Sequence, residues 1–321
     1  MTPPSALFAL LLVAFTSVCN AVVGPGKVTG DTAVHDPTMC KDNSGKYFVF
    51  STAPGIEIRT STDRIAWTKI GVVWPNGAAT WTDQYTGTSN GQVPVYPLTN
   101  LWAPDCTYLN GQFYLYYAAS SFGSQKSAIF FAKSTTGLPG SWTNEGLVTQ
   151  TTSSNNYNAI DPNLIIDNGK WYLALGSFWT GIKDLSSSTG KPSSSSVTSL
   201  AQRTANGGAI EAASVYKNGK FWYLFTSWDN CCKGTSSTYN IRVGRSSSYV
   251  GIHRHWDVFA DFEIRVTGPF VDKAGVALTS GGGTAVLATH DSIVGPGGQD
   301  IMTDTDGPLL VYRSFVSPLD P

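Results

Sequence analysis

One short pattern recurs five times along this chain, and it restricts the fold more than any other feature. A polar residue opens a short apolar strand, a turn carrying glycine follows, and an aromatic strand leads away. The first copy runs from His35-Asp36-Pro37-Thr38 through Gly45 to Tyr47-Phe48-Val49-Phe50, and the second from Trp102-Ala103-Pro104-Asp105 through Gly111 to Tyr114-Leu115-Tyr116-Tyr117. The third joins Asn158-Ala159-Ile160-Asp161-Pro162-Asn163 to Trp171-Tyr172 by way of Gly169, and the fourth joins Ala209-Ile210-Glu211-Ala212 to Trp222-Tyr223 by way of Gly219. A weaker fifth runs from Gly298-Gln299-Asp300 through Gly307 to Leu309-Leu310-Val311-Tyr312. Each copy reads as a β-hairpin, two β-rich runs around a turn.

Further strand-like runs lie between the copies, such as Ile56 to Ser61, Ala128 to Ser134 and Tyr239 to Ser246. A unit of four strands repeated around an axis is a propeller blade. The expectation is therefore an all-β, five-bladed β-propeller. Low charge, 13% of residues, and 33 glycines agree with a strand-and-turn protein. The chain stops soon after the fifth hairpin, so the fifth blade is expected to be incomplete unless the N-terminal segment supplies a strand to it. The Ser-rich run from Ser186 to Ser196 reads as a flexible surface loop of blade three. Tyr249 to Arg265 interrupts the pattern with two histidines, His253 and His255, and denser charge. Neither histidine is assigned a role.

Residues 1–21 have the apolar core, Leu7 to Val18, and the small residues of a secretory signal. The remaining 22–321 are expected to form one catalytic propeller domain, secreted and monomeric. A formal net charge of −1 gives no electrostatic reason to bind nucleic acid or an anionic membrane. Secretion permits disulfides among Cys40, Cys106, Cys231 and Cys232. The adjacent pair Cys231-Cys232 either bridges to itself or does not. No Asn-x-Ser/Thr acceptor is present.

The first strand of a blade lines the central channel. Aligning the copies puts Asp36, Ala103, Asp161, Glu211 and Gln299 at its mouth, so three carboxylates from three blades converge. Two carboxyl groups across a cleft suffice to hydrolyse a glycosidic bond, one protonated as acid and one ionised as base, and a third nearby raises the acid's pKa. Glu211, between Ile210 and Ala212, is the most informative, because an acid in an apolar setting is costly unless its pKa rises or it is paired. Trp102, Phe122 and Trp179 are placed at strand ends near the mouth, where rings stack on sugar faces. Asn158 and Ser177 are candidates to bind sugar hydroxyls, or to cap turns. Strand alternation turns His35 away from Asp36 and toward packing. His290, just before the fifth channel strand, is either a metal ligand or a buried, hydrogen-bonded histidine.

These motifs, together with Gly176-Ser177-Phe178-Trp179 and Ser292 to Gln299, resemble in order the motif set of family 43 glycoside hydrolases, and within it the endo-1,5-α-L-arabinanases. The resemblance spans Val34 to Tyr312. It implies a five-bladed propeller and an inverting mechanism on arabinan, with Asp36 as general base, Glu211 as general acid and Asp161 tuning and orienting that acid. It also implies a channel metal ion, calcium, with a histidine ligand matching His290. Exo-acting arabinofuranosidases and β-xylosidases share the same acids, and a non-catalytic sugar-binding propeller is the alternative outside enzymes. Relatives run almost directly from the Arg-Ser-Ser segment into Thr-Gly-Pro and continue past the fifth hairpin. The insert is therefore expected to be translated intron and the end a frame or splice error, which a cDNA across both regions checks.

Overall fold

The computed structural model describes residues 25–75, 78–86, 100–246 and 265–316. The segment 1–21, both insert histidines and the insert itself up to residue 264 lie outside them. The described residues hold twenty-one strands. They are β1 Thr29–Gly30, β2 Thr38–Lys41, β3 Tyr47–Ser51, β4 Ala53–Pro54, β5 Glu57–Ser61, β6 Ala66–Val72, β7 Asn100–Leu109, β8 Gln112–Ala119, β9 Ser127–Ser134 and β10 Thr143–Thr151. They continue with β11 Asn163–Asp167, β12 Lys170–Leu175, β13 Thr180–Leu185, β14 Thr198–Ala201, β15 Ile210–Asn218, β16 Phe221–Trp228, β17 Asn240–Ser246, β18 Phe270–Val271, β19 Thr284–Leu287, β20 Ile293–Asp304 and β21 Gly307–Val316.

The arrangement is all-β and propeller-like. Among the described residues it has four blades, not five. Their strand orders are β1-β6-β5-β3-β2, β10-β9-β8-β7-β4, β11-β12-β13-β14 and β15-β16-β17-β18, with β19 also paired to β17. In place of a fifth blade stands the hairpin β20-β21 alone. The N-terminal strand does not complete it: β1 pairs in parallel with β6, on the outer edge of the first blade. The segments on either side of the insert meet as antiparallel neighbours, Arg245 with Val271 and Ser246 with Phe270. The Ser-rich loop joins β13 to β14, and it is partly docked, since the Tyr116 hydroxyl donates to the Gly190 carbonyl at 2.8 Å.

The blades stack because their middle strands are apolar on both faces. Alternate residues of β8 divide between neighbours. Phe113, Leu115 and Tyr117 face Phe48, Phe50 and Ile58 of the first blade. Tyr116 and Ala118 face Leu164, Trp171 and Leu173 of the third. Ile165 and Ala174 then meet Trp222 and Leu224 of the fourth. The hairpin closes the circuit, with Met302, Leu309 and Val311 against Met39, Tyr47 and Val49.

The innermost strands are tied more specifically. Each copy of the repeat has one residue in left-handed backbone just ahead of or within its channel strand: Asp36 (φ 45°), Ala103 (φ 41°), Asp161 (φ 53°), Ala212 (φ 54°) and Gly298 (φ 57°). These are the equivalent positions. The alignment of Glu211 and Gln299 with Asp36 is thus off by one residue in opposite directions. Two residues further on stand Thr38, Asp105, Asn163, Ser214 and Asp300, all buried and all polar. They form a closed ring. The Thr38 hydroxyl receives the Cys106 N–H at 3.0 Å and donates to Asp300 at 2.7 Å. Asp105 accepts from Asn163 Nδ2 at 2.9 Å and from the Leu164 N–H at 2.8 Å. Asn163 accepts from the Val215 N–H at 2.9 Å, and Ser214 hydrogen-bonds to Asp300. The hairpin therefore completes the inner ring although it lacks outer strands. A disulfide, Cys40–Cys106, clamps the first two blades beside it.

Two outcomes follow. The Cys40–Cys106 bridge closes 66 residues of chain, so replacing both cysteines by serine is expected to lower unfolding free energy by up to about 4 kcal/mol in urea titrations. Burial, then the charge of Asp300, pushes Asp105 up to about 8. Between its unfolded value near 4 and that folded value, the native state holds a proton that the unfolded chain has released. Stability is thus expected to fall as pH rises from about 4 to 8, by at most about 1.4 kcal/mol per pH unit for this group. Asp105→Asn should flatten that slope in urea midpoints measured at pH 5 and pH 8.

Candidate active site

The left-handed residues turn the chain at the channel mouth, and the side chains there line a cleft of about 470 Å³. Asp36, Asp161 and Glu211 all face into it, with Trp102 and Phe122 on its wall. Phe122 is 84% exposed, a ring held out in solvent above the acids. The convergence expected from the repeat is thus found, although Glu211 precedes its turn residue while Asp36 and Asp161 are their own.

The three acids sit in different surroundings. Asp36 Oδ2 is 2.8 Å from His35 Nδ1 and accepts from the Thr52 hydroxyl at 2.8 Å. Thr52 is itself fixed by the Ala103 N–H, which donates to its oxygen at 2.8 Å. Arg313 Nε lies 3.6 Å from Asp36 Oδ1. Burial pushes the Asp36 carboxyl up, but His35, Arg313 and Thr52 together outweigh it and hold the group well below the usual carboxylate range. Gly298 is required here, because a Cβ at that position would stand 2.6 Å from Asp36 Oδ1.

Glu211 has the opposite balance. Burial raises it most, and the charge of Asp36 adds to that. Two donors work the other way, the Tyr239 hydroxyl to Oε1 at 2.7 Å and the Ser177 hydroxyl to Oε2 at 3.0 Å, as does Arg313. The net direction is up. Asp161 accepts from the Ala212 N–H at 2.9 Å and is raised well above the ordinary value by burial, then by the charges of Glu211 and Asp36. Two raised carboxyls in one pocket share protons as a unit.

Several expected residues take other places. His35 does turn toward Asp36, because the left-handed backbone at Asp36 breaks strand alternation. Ser177 is spent on holding Glu211. Asn158 donates to the Ser124 carbonyl at 3.1 Å and lies off the cleft wall. Trp179 is also off the wall, packed on Tyr157 with ring centroids 4.9 Å apart. Tyr239, Thr52, Arg313 and the adjacent cysteines were not foreseen. Cys231 and Cys232 are bridged to each other and form part of the cleft wall, with Cys232 Sγ 3.4 Å from His35 Nε2. Tyr239 and Arg313 belong to no repeat position that carries an acid, so the alignment holds no signal for them.

His290, expected as the ligand of a channel calcium, is absent from the cleft lining. Its Nδ1–H donates to the Ala288 carbonyl at 2.8 Å, which leaves Nε2 free. Among the described residues, one group of three His, Cys or acid side chains is close enough to share an ion, His35 with Cys231 and Cys232, and its two sulfurs are consumed in the disulfide. The deeper pair Asp105 and Asp300 has its oxygens turned to the ring donors.

Comparison with known proteins places the chain in a family. The family model for glycosyl hydrolases family 43 matches residues 26–317. The extracellular endo-α-(1→5)-L-arabinanase 1 of Bacillus subtilis is 42% identical over 289 residues, covering 88% of this chain and 80% of that protein. The arabinan endo-1,5-α-L-arabinosidase A of Aspergillus aculeatus is 37% identical over 320 residues, covering 96% and 90%. The solved structure of a GH43 endo-arabinanase from Bacillus licheniformis superposes with a TM-score of 0.74 at 34% identity, covering 89% of this chain and 96% of that one. With its acids gathered in one cleft and nearly all of the described chain matched, the protein belongs to family 43 of the glycosyl hydrolases.

Proposed function

We propose that this chain is a secreted, inverting endo-1,5-α-L-arabinanase acting on arabinan, the pectin side chain. The observation that carries the reading is the opposed setting of two acids in one cleft. Asp36 is held below and Glu211 above the ordinary carboxylate range, which is the direction of division that hydrolysis with inversion requires. The arabinan specificity and endo action are supported by what the Bacillus and Aspergillus relatives are named for. Secretion is supported by the signal-like residues 1–21, by the two disulfides, and by the extracellular Bacillus relative. The same reading has residues 22–321 as one domain, working as a monomer, with the two-stranded hairpin as the remnant of a fifth blade.

In this reading a furanosyl unit lies between Asp36 and Glu211, with its neighbours against Trp102 and Phe122. Asp36, fixed by Thr52 and His35, accepts a proton from water as that water attacks the anomeric carbon. Glu211 gives its proton to the departing sugar oxygen. The Tyr239 and Ser177 hydroxyls hold the Glu211 carboxyl in place and stabilise the carboxylate that forms. Asp161, held by the Ala212 N–H, shares the pocket's protons with Glu211 and so sets how readily that proton is given up. A covalent intermediate plays no part, so the product appears with inverted configuration. No step needs a metal ion.

Early products from linear debranched arabinan should be oligomers of mixed size, with the inverted anomer seen first by proton NMR. A single short product would instead mean exo action, and retention would overturn the assigned roles. Glu211→Gln and Asp36→Asn should each lower kcat by about 10²–10⁴-fold, with arabino-oligosaccharide binding retained in calorimetry. Because Glu211 is raised and Asp36 depressed, activity should persist above the ordinary carboxylate range and fall as Glu211 loses its proton. Asp161→Asn removes the carboxyl that shares protons with Glu211, so the alkaline limb of kcat/KM should move to lower pH.

A further inference from the structure

The disulfide between Cys231 and Cys232 stands in the cleft wall and takes no part in the mechanism above. A bridge stabilises a fold mainly by closing a loop of the unfolded chain, and the gain grows with the length of that loop. Cys40–Cys106 spans 66 residues, whereas Cys231–Cys232 joins sequence neighbours. It closes no loop and ties no two strands together, so its use lies in the surface it presents. Neither cysteine belongs to the core: Cys231 is half-buried and Cys232 is exposed.

The bridge sits in the turn from β16 to β17, and that turn is braced. Thr238 donates its N–H to the Asn230 carbonyl at 3.0 Å, and its hydroxyl accepts from the Asn230 N–H at 3.2 Å. The Ser237 hydroxyl accepts from the Lys233 N–H at 3.0 Å. Ser237 packs against Gly295 of β20, where a Cβ would stand 2.6 Å from the serine's own. Cys232 is in left-handed backbone, φ 65°, which persists only where the surroundings over-determine it. Its sulfur lies 3.4 Å from His35 Nε2 and 3.6 Å from Arg313 Nη2. The two side chains are thus already fixed, and little freedom is lost when a ligand settles on them.

Phe122 stands in the corresponding turn of the second blade, from β8 to β9. The second and fourth blades are not neighbours. The third lies between them on one side, and the hairpin with the first blade on the other. Ring and bridge therefore line one cleft from two sides, with Asp161 and Asp36 on the blades between them. We infer that the Cys231–Cys232 bridge is a second furanosyl-binding surface, a rigid apolar contact for a sugar face on the side of the cleft away from Phe122. Bridged sulfur is soft and polarizable, and it suits the C–H face of a sugar. The inference rests on the arabinan reading and deepens it. Cleavage within a chain needs sugars held on both sides of the bond that breaks, and the wall of Trp102 and Phe122 serves one side.

Two measurements on the full chain test this. The first labels cysteine Cβ with carbon-13 and titrates the Glu211→Gln variant, which spares the ligand, with linear α-1,5-arabinohexaose. The Cys231 and Cys232 signals are expected to shift along the same isotherm as calorimetric binding, while those of Cys40 and Cys106 stay in place. Unmoved Cys231 and Cys232 signals, whether the hexaose binds elsewhere or not at all, overturn the inference. This test needs no cysteine variant to fold. The second compares wild type with Cys231→Ser/Cys232→Ser. KM for the hexaose is expected to rise about tenfold, while kcat and its acid limb change far less. An unchanged KM overturns the inference, and so does a loss confined to kcat, since the bridge would then only brace His35. Should the hexaose shift the cysteine signals of a chain that never hydrolyses arabinan, the functional reading fails and the sugar contact stands. Should arabinan be cleaved while the signals stay unmoved, the reverse holds.

Discussion

The buried ring of hydrogen bonds around the channel is the constraint on which the rest depends. Thr38, Asp105, Asn163, Ser214 and Asp300 come from five separate hairpins, and each satisfies a neighbour's backbone or side chain. Buried polar groups of this kind are costly unless every partner is present. The ring therefore fixes the angular order of the hairpins and the depth of each inner strand. It also accounts for the hairpin β20-β21 holding its place without outer strands: its inner residue Asp300 accepts from Thr38 and from the Met39 N–H, at 2.7 and 3.2 Å.

The geometry of the cleft is inherited from that ring. Two residues before each ring member the backbone turns left-handed, which is uncommon for residues other than glycine and is sustained only where the surroundings over-determine it. The turn lifts Asp36 and Asp161 out of the strand and into the cleft. In the fourth repeat the turn falls on Ala212, and Glu211, one residue earlier, reaches the cleft from a different angle. Asp36 and Glu211 thus approach from unlike backbone positions and meet unlike neighbours. Asp36 faces a histidine, a hydroxyl and a guanidinium, while Glu211 faces two hydroxyls and two other carboxyls. Their proton affinities separate for that reason.

Much of this was legible in the chain. The five hairpins, the aromatic second strands and the three acids could all be aligned, because strand periodicity and turn glycines are local signals. The acids' motifs also carried the family resemblance that the matches over residues 26–317 bear out. The alignment failed by one residue at Glu211 and at Gln299, since nothing local marks which residue adopts the left-handed turn. It failed at His35 for the same reason, as alternation holds only while the backbone stays extended. Trp179 and Asn158 sit close to catalytic segments in sequence but pack on Tyr157 and Ser124.

The sequence by itself determined the strand class, the repeat and the set of acids, because each depends on residues a few positions apart. Tertiary structure decided what surrounds those acids. Tyr239 reaches Glu211 from 28 residues away, and Arg313 reaches Asp36 across nearly the whole described chain. Four blades and a two-stranded hairpin among the described residues, rather than five blades with the fifth incomplete, were likewise settled by which edges pair. Proton affinity in a cleft is set by burial and by neighbouring charge, and both are properties of the closed circle rather than of any one spoke.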